Sequence, residues 1–244
     1  MGTLPDWAVK FCYDFYVSFI YDQRYKYIIS GLGNTLLITF FAMLVGLALG
    51  ITVALIRVSW DQSGRAMGFG PGKVLLGLAN LVSKVYLTVI RGTPVVIQIM
   101  ILYFIIMASS KNKLLVAVVS FGINSGAYVA EIIRGGIMSV DKGQFEAGRS
   151  LGFGYGPTMW LIILPQAFKT VLPTLVNEFI VLLKETAVAG YVSIQDLTRA
   201  GNIIRGVSYK DLPLWGVAMI YLVIVMFFTW LMDKLERRLR GNER

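Results

Sequence analysis

The chain has 244 residues, of which 56% are hydrophobic and only 15% are charged. A soluble domain of this size carries charge on about a quarter of its residues, and here the apolar residues form long uncharged runs instead of amphipathic stripes. This composition excludes an ordinary soluble protein and indicates an all-α integral membrane protein.

The net charge and the scarcity of histidine and cysteine exclude several functional classes. The formal net charge of +9 indicates cytoplasmic loops beside anionic lipid, not a nucleic-acid partner. The absence of histidine excludes imidazole metal sites and His-based acid–base catalysis. The single Cys12 excludes an internal disulfide and a cysteine cluster. We therefore expect no catalytic residue, cofactor site or metal site in this chain.

The first segment, 1–30, mixes aromatic and charged residues. This mixture is typical of chain that lies at the headgroup level of a bilayer, and the alternative is a poorly ordered tail. The uncharged run 35–56 follows and is long enough to span a membrane. Within it, Gly46 and Gly50 form a G-x-x-x-G pair, which predicts close approach by another helix.

The next apolar stretch, 74–110, can be divided in two ways. If two separate spans filled it, the basic loop 57–73 and the basic C-terminal tail would lie on opposite sides of the membrane, against the positive-inside rule. We therefore predict an interfacial helix over 74–85 and the second span over about 86–108. Pro94 either kinks this span or starts its straight part.

Three more apolar runs complete a pattern of five spans, with the N-terminus outside and the C-terminus in the cytoplasm. These runs are 114–130, 157–183 and 212–232. The sequence thus predicts an interfacial segment over 1–30, a transmembrane domain over 31–235 and a basic cytoplasmic tail over 236–244. The polar segment 184–211 is expected outside the membrane.

A polar, glycine-punctuated stretch separates the third and fourth spans. Ser139 can cap a short helix over 144–151, Gly152 suits the left-handed position after its end, and Pro157 suits the first turn of the next helix. We predict a short cytoplasmic helix within about 140–152 that a partner can grip; the alternative is a plain connecting loop. The candidate contact residues are Gln144, Glu146, Ala147, Gly148, Arg149 and Gly152.

Several fixed spacings here resemble a known family. Glu146-Ala147-Gly148, then Gly152, then Ile162-x-Leu164-Pro165 is similar to the EAA motif of permease subunits in bacterial ABC importers, except that Gly148 stands where Ala is usual. Other stretches resemble the polar amino-acid uptake branch of that family, from about residue 30 to the C-terminus. They are 31–39, 91–94, 128–137, 143–146, 164–167, and Asn177 followed by 184–186.

The resemblance implies the five-helix permease fold of type I ABC importers, with 144–151 as the helix that couples it to an ATPase. It also implies a bacterial inner-membrane complex with a second permease copy or homologue, two ATPases and an extracytoplasmic amino-acid-binding protein. The chain has no G-x-x-x-x-G-K-[ST] loop, so ATP and Mg are expected in the ATPase. The implied cargo is a polar amino acid, with basic ones as the narrower hypothesis.

Polar groups inside apolar spans are candidate substrate contacts. Asn177 and Lys184 are seven residues apart and share a helix face, as do Glu178 and Glu185 on the adjacent face. A carboxylate there can bind an ammonium group, and an amide can bind a carboxylate. The alternative is that these side chains only hold the helices together. The candidates are Asn177, Glu178, Lys184, Glu185, Gln98, Asn124 and Tyr128.

Five further residues are assigned structural roles, and two other functional classes are weighed. Glu131 and Arg134 are expected to brace the coupling helix, and Pro173 leaves a free carbonyl inside its helix. A stand-alone secondary transporter or channel subunit is the main alternative, although such transporters often show two repeated halves that five spans do not provide. An intramembrane enzyme lacks a nucleophile–base pair. The structural residues are Pro94, Glu131, Arg134, Pro165 and Pro173.

Overall fold

The computed structural model describes residues 5–64 and 67–241, and every regular element in these ranges is helical. The α-helices are α1 (Asp6–Phe15), α2 (Tyr25–Ser59), α3 (Pro71–Gly92), α4 (Val95–Ile101), α5 (Lys113–Met138), α6 (Lys142–Ser150), α7 (Tyr155–Thr158), α8 (Leu164–Glu185), α9 (Leu197–Ser208) and α10 (Leu212–Gly241). Short π or 3-10 segments extend or join several of them.

Five stretches of the described chain are long and apolar enough to cross a membrane, which confirms the predicted all-α membrane fold. They are Tyr25–Gln62, Pro71–Gly92, Lys113–Met138, Tyr155–Val192 and Leu212–Arg238. The main core joins α2, α4, α5 and α8 through fully buried side chains. These include Ile38, Ile99, Phe121 and Leu182.

The helices α2 and α5 pack closely because small residues line their contact. A Cβ added to Gly46 would lie 3.2 Å from Cβ of Ser125, and one added to Gly50 would lie 2.5 Å from Cγ1 of Val129. Gly50 is four residues after Gly46, and its neighbour Val129 is four residues after Ser125, so the two helices run in the same direction. The close approach predicted from the G-x-x-x-G pair is confirmed.

The second apolar stretch differs from its predicted division. α3 is one continuous helix to Gly92, so the predicted boundary between 85 and 86 is wrong. The chain is extended at Thr93, because the ring of Pro94 disfavours a helical conformation in the residue before it. α4 starts directly after Pro94, which therefore begins the second part of the stretch. The error came from applying the positive-inside rule to the loop 57–73, which led to a boundary inside a helix that runs on through the exposed Lys84.

The N-terminal part of α2 holds α9 through the stretch 31–39. A Cβ on Gly31 would lie 2.7 Å from the carbonyl oxygen of Asp196, so only glycine allows this approach. The Asn34 amide donates to the carbonyl of Gln195 at 2.7 Å, and the Thr35 hydroxyl accepts from the first amide of α9 at 3.0 Å. The sequence assigned no role to these side chains, and the structure shows that they dock the start of α9 onto α2.

The N-terminal segment is helical from Asp6 onward. Its aromatic side chains are largely exposed, and α2 begins at Tyr25, earlier than the predicted boundary at residue 30. Lys210, just before α10, lies 2.8 Å from the Asp14 carboxylate, which raises the pKa of Lys210. Residues 1–4 of this segment and 242–244 of the predicted tail lie outside the described residues.

Candidate functional site

The predicted coupling helix exists as α6, and its start differs by a few residues. Asp141 is the N-cap, and its carboxylate accepts a hydrogen bond from the amide of Gly143 at 2.7 Å. The prediction that Ser139 caps this helix is wrong, because α5 continues to Met138 and Ser139 lies directly at its end. The Ser139 hydroxyl instead donates to the carbonyl of Gly136 at 2.8 Å and belongs to the end of α5.

The end of α6 has the geometry expected from the sequence. Gly152 has φ +80°, a left-handed conformation that glycine adopts without steric strain. Its amide bonds to the carbonyl of Arg149 at 2.9 Å, and the amide of Phe153 bonds to the carbonyl of Gly148 at 3.0 Å. This pair of bonds is a Schellman motif, so the predicted glycine stop is confirmed.

One face of α6 is packed against the chain itself. Phe145 packs onto the buried cluster that contains Ile137 and Ile163. Gly148 is buried, and a Cβ there would lie 2.7 Å from Cγ2 of Thr158. The expectation that Gly148 contacts a partner is therefore wrong, and its packing against Thr158 explains the departure from the usual Ala. Phe145 was missed, although an apolar residue inside a polar stretch was a usable signal.

The opposite face of α6 is open. Glu146, Ala147 and Arg149 are exposed. Glu146 and Arg149 also line a cavity of about 450 Å³ that is shared with Asp61 and Gln62 from the end of the first membrane-length stretch. A rigid helix with one docked and one open face can receive a partner and pass its displacement on.

A group of charged residues lies at the same end of the helix bundle. Glu131 accepts a hydrogen bond from Arg134 at 3.0 Å, Arg134 approaches Asp61 at 3.9 Å, and Arg91 approaches Glu131 at 3.9 Å. These contacts tie α5 to α3 and to the segment after α2, not to α6, which corrects the predicted bracing role. Arg91 also lies over the ring of Tyr128, with 5.7 Å from Cζ to the ring centroid.

Gln98 and Asn124 hold the break between α3 and α4. The Gln98 amide nitrogen donates to the carbonyls of Ile90 at 2.7 Å and Thr93 at 3.0 Å, and its oxygen accepts from Asn124 at 2.9 Å. Carbonyls freed at a helix break need such donors inside a membrane. These contacts favour the structural alternative for both residues over a direct role in the substrate path.

The four candidates on α8 divide between two faces. Glu178 is 8% exposed and accepts a hydrogen bond from the Ser125 hydroxyl at 2.8 Å, so it points into the bundle. Asn177 and Lys184 are exposed, and Glu185 is half-buried. Pro165 begins α8 and Pro173 lies inside it. The exposed side forms a polar stripe of α8, consisting of Thr170, Thr174, Asn177 and Lys184.

The sequence of this chain matches a known protein family. The sequence model of the binding-protein-dependent transport system inner membrane component family matches residues 63–241. The chain belongs to this family. The prediction of an ABC importer permease is thus confirmed over a stand-alone transporter or channel, and this permease is a translocation subunit.

Named relatives and solved structures agree with that assignment. This permease is 38% identical over 221 residues to the arginine transport system permease protein ArtQ of Bacillus subtilis, covering 89% of this chain and 94% of that protein. It is 37% identical over 207 residues to the glutamine transport system permease protein GlnP of Escherichia coli K12, covering 83% and 90%.

Two solved structures match the fold of this permease. A crystal structure of an amino acid ABC transporter with histidines aligns with a TM-score of 0.77 at 37% identity, covering 98% of this chain and 100% of that one. The inward-facing MetNI methionine ABC transporter aligns with a TM-score of 0.71 at 19% identity, covering 87% and 95%, and shows the shared fold. The predicted five-helix permease fold is confirmed.

Proposed function

We propose that this permease carries polar amino acids across the bacterial inner membrane, with basic amino acids as the narrower hypothesis. Its relatives named for arginine and glutamine transport support this class of cargo. In this proposal the N-terminus lies outside, and α6 and the C-terminus lie in the cytoplasm. The complete importer contains two ATPases, a second permease and an external binding protein, and ATP and Mg bind to the ATPases.

The main observation behind the proposal is that α6 has one face packed against its own chain and one exposed face. Its exposed residues Glu146, Ala147 and Arg149 are free to contact an ATPase, while Gly148 is locked against Thr158. ATPase closure then moves α6 and the following span together, which gives alternating access. A flexible loop in this position would absorb the same displacement.

The polar stripe of α8 supports a substrate path along that helix. Polar side chains exposed on a membrane helix are costly against lipid, so this face fits a water-filled path or the second permease. Asn177 offers an amide to a substrate carboxylate, and Lys184 offers a cation near the outer end. Glu178 can join the site only when its hydrogen bond to Ser125 opens.

The coupling assignment is tested in the intact importer reconstituted with its ATPase. Glu146→Arg reverses an exposed charge on α6, and Gly152→Leu places a side chain at φ +80°. We expect weaker co-purification with the ATPase, or ATP hydrolysis without uptake. Lys111→Glu, a charge change outside the candidate site, is the control. Normal import by both α6 variants would refute the assignment.

The substrate assignment needs a separate measurement. Glu178→Gln keeps the shape of the side chain and removes its charge, so uptake of cationic amino acids should fall more than uptake of neutral ones. Glu185→Gln, on the same face one heptad later, tests the second carboxylate candidate by the same measurement. An unchanged order of substrate preference would remove Glu178 from the site.

A further inference from the structure

A basic groove lies where α3 passes the end of α2. The cavity measures about 480 Å³, and its charged lining consists of Arg57, Lys84, Arg91 and Glu131. Three cations and one carboxylate give this lining a net charge of +2. Glu131 also accepts a hydrogen bond from Arg134, a cation outside the groove, so its charge is shared. The groove therefore has an excess of positive charge.

The cations of this basic groove retain free hydrogen-bonding capacity. Arg57 donates through Nη1 to the neutral Asn80 side chain at 2.9 Å, and its buried Nε has no acceptor within the described residues. Lys84 is exposed and makes no hydrogen bond or ion pair in the described part of the chain. Arg91 is 3.9 Å from Glu131 and its side chain is 46% exposed. An anion in the groove would meet three cationic side chains, of which Lys84 and Arg91 are exposed.

An apolar surface borders the basic groove on the same helix. Five aliphatic residues of α3 are each between 52% and 68% exposed. On the helical projection they lie next to the stripe that carries Lys84 and Arg91. This apolar stripe of α3 consists of Leu78, Leu81, Val82, Val85 and Val89. Basic groups beside an exposed apolar face are the pattern by which a helix binds an anionic lipid surface.

We propose that the basic groove binds the phosphate headgroup of an anionic phospholipid, whose acyl chains lie along the apolar stripe of α3. The cations neutralise the phosphate, and the stripe covers hydrocarbon. A free phosphate ion would use only the first of these two surfaces. The proposal does not depend on the transported substrate.

The test is lipid binding to the full-length chain in detergent, measured by native mass spectrometry with phosphatidylglycerol or phosphatidylcholine. We expect saturable binding of phosphatidylglycerol only. A surface cation contributes enough for its loss to weaken binding about fivefold. Lys84→Gln should show that loss, Lys84→Gln/Arg91→Gln a greater one, and Lys84→Arg none. Lys73→Gln is the matched control, because Lys73 is on the same helix but bonds to Met67 away from the groove.

Two results would overturn the proposal. Equal binding of both lipids, or equal losses for Lys84→Gln and Lys73→Gln, would show that the groove has no role in headgroup binding. A second arm adds inorganic phosphate to the phosphatidylglycerol titration. Displacement by millimolar inorganic phosphate would identify a site for a soluble anion instead. The assay contains no ATPase and no amino acid, so its failure would leave the proposed transport function unaffected.

Discussion

Gly148→Ala is the most direct test of whether α6 is rigidly docked. The new Cβ would lie 2.7 Å from Cγ2 and 2.8 Å from Oγ1 of Thr158, and 3.2 Å from Cδ1 of Ile162. Thr158 is 1% exposed, and its hydroxyl donates to the carbonyl of Gly154 at 2.9 Å. A β-branched side chain in a helix cannot rotate away without losing that bond.

The magnitude follows from two opposing contributions. Overpacking by one methyl group destabilises a buried contact by about 1–3 kcal/mol. Replacing glycine by alanine inside a helix stabilises it by about 1 kcal/mol. With a central value of about 2 kcal/mol for overpacking, the net loss is about 1 kcal/mol, so the undocked population of α6 rises about fivefold.

The assay combines proteolysis with transport. Trypsin can cleave after Lys142 and Arg149 once α6 leaves its docked position, and such cleavage tracks the open population. We expect about fivefold faster cleavage of Gly148→Ala, together with a lower ratio of uptake to ATP hydrolysis in the reconstituted importer. Gly148→Ala/Thr158→Ala removes both colliding atoms and should restore both values. Wild-type behaviour of the single variant, or no rescue by the double variant, would refute the docking argument.

Three further predictions concern the packing of the helices and the cap of α9. Gly50→Leu should abolish a monodisperse peak in detergent chromatography, because a Cβ there would lie 2.5 Å from Val129, whereas Gly33→Leu has open space and should not. Gln98→Leu should lower the free energy of unfolding by about 1–3 kcal/mol by removing the donor to two carbonyls, and an unchanged melting temperature would contradict this. Burial raises the pKa of Asp196, so its contribution to stability falls as pH rises from the unfolded towards the folded pKa. Asp196→Asn keeps only one of the two oxygens that accept the amides of Thr198 and Arg199, so at pH 7 it should melt above Asp196→Ala, which loses the whole cap and about 1 kcal/mol.

Features encoded by local residue patterns could be predicted from the sequence. Long apolar runs predicted the membrane-length helices apart from α3, because backbone groups in lipid must be paired within a helix. Gly152 gave the end of α6, since its position requires a left-handed residue. The Gly46–Gly50 pair predicted a close contact with another helix, but it did not show that this helix would be α5. These features depend on residues near one another in the chain.

Features that depend on distant contacts could not be predicted. Asn177 and Glu178 are neighbours in sequence, but one is exposed and the other is bonded to Ser125, 53 residues away. Gly148 was read as a partner surface because the sequence does not show Thr158 beneath it. The cap at Asp141 was missed because the length of α5 is set by its packing and not by a local stop signal.

The positions of these contacts determine how a displacement of α6 would reach the proposed substrate path. α6 is docked onto Thr158 just before α8, whereas α2 and α5 are interlocked at Gly46 and Gly50. α5 and α8 also approach closely where Gly136 faces Val171, so a pull on α6 that moved α8 would have to slide it against α5 at this contact. The buried bond between Ser125 and Glu178 crosses this boundary, so sliding of α8 along α5 has to lengthen it. A carboxylate that is bonded in one state and free in the other would bind an ammonium group in only one of them, which is the property that alternating access requires.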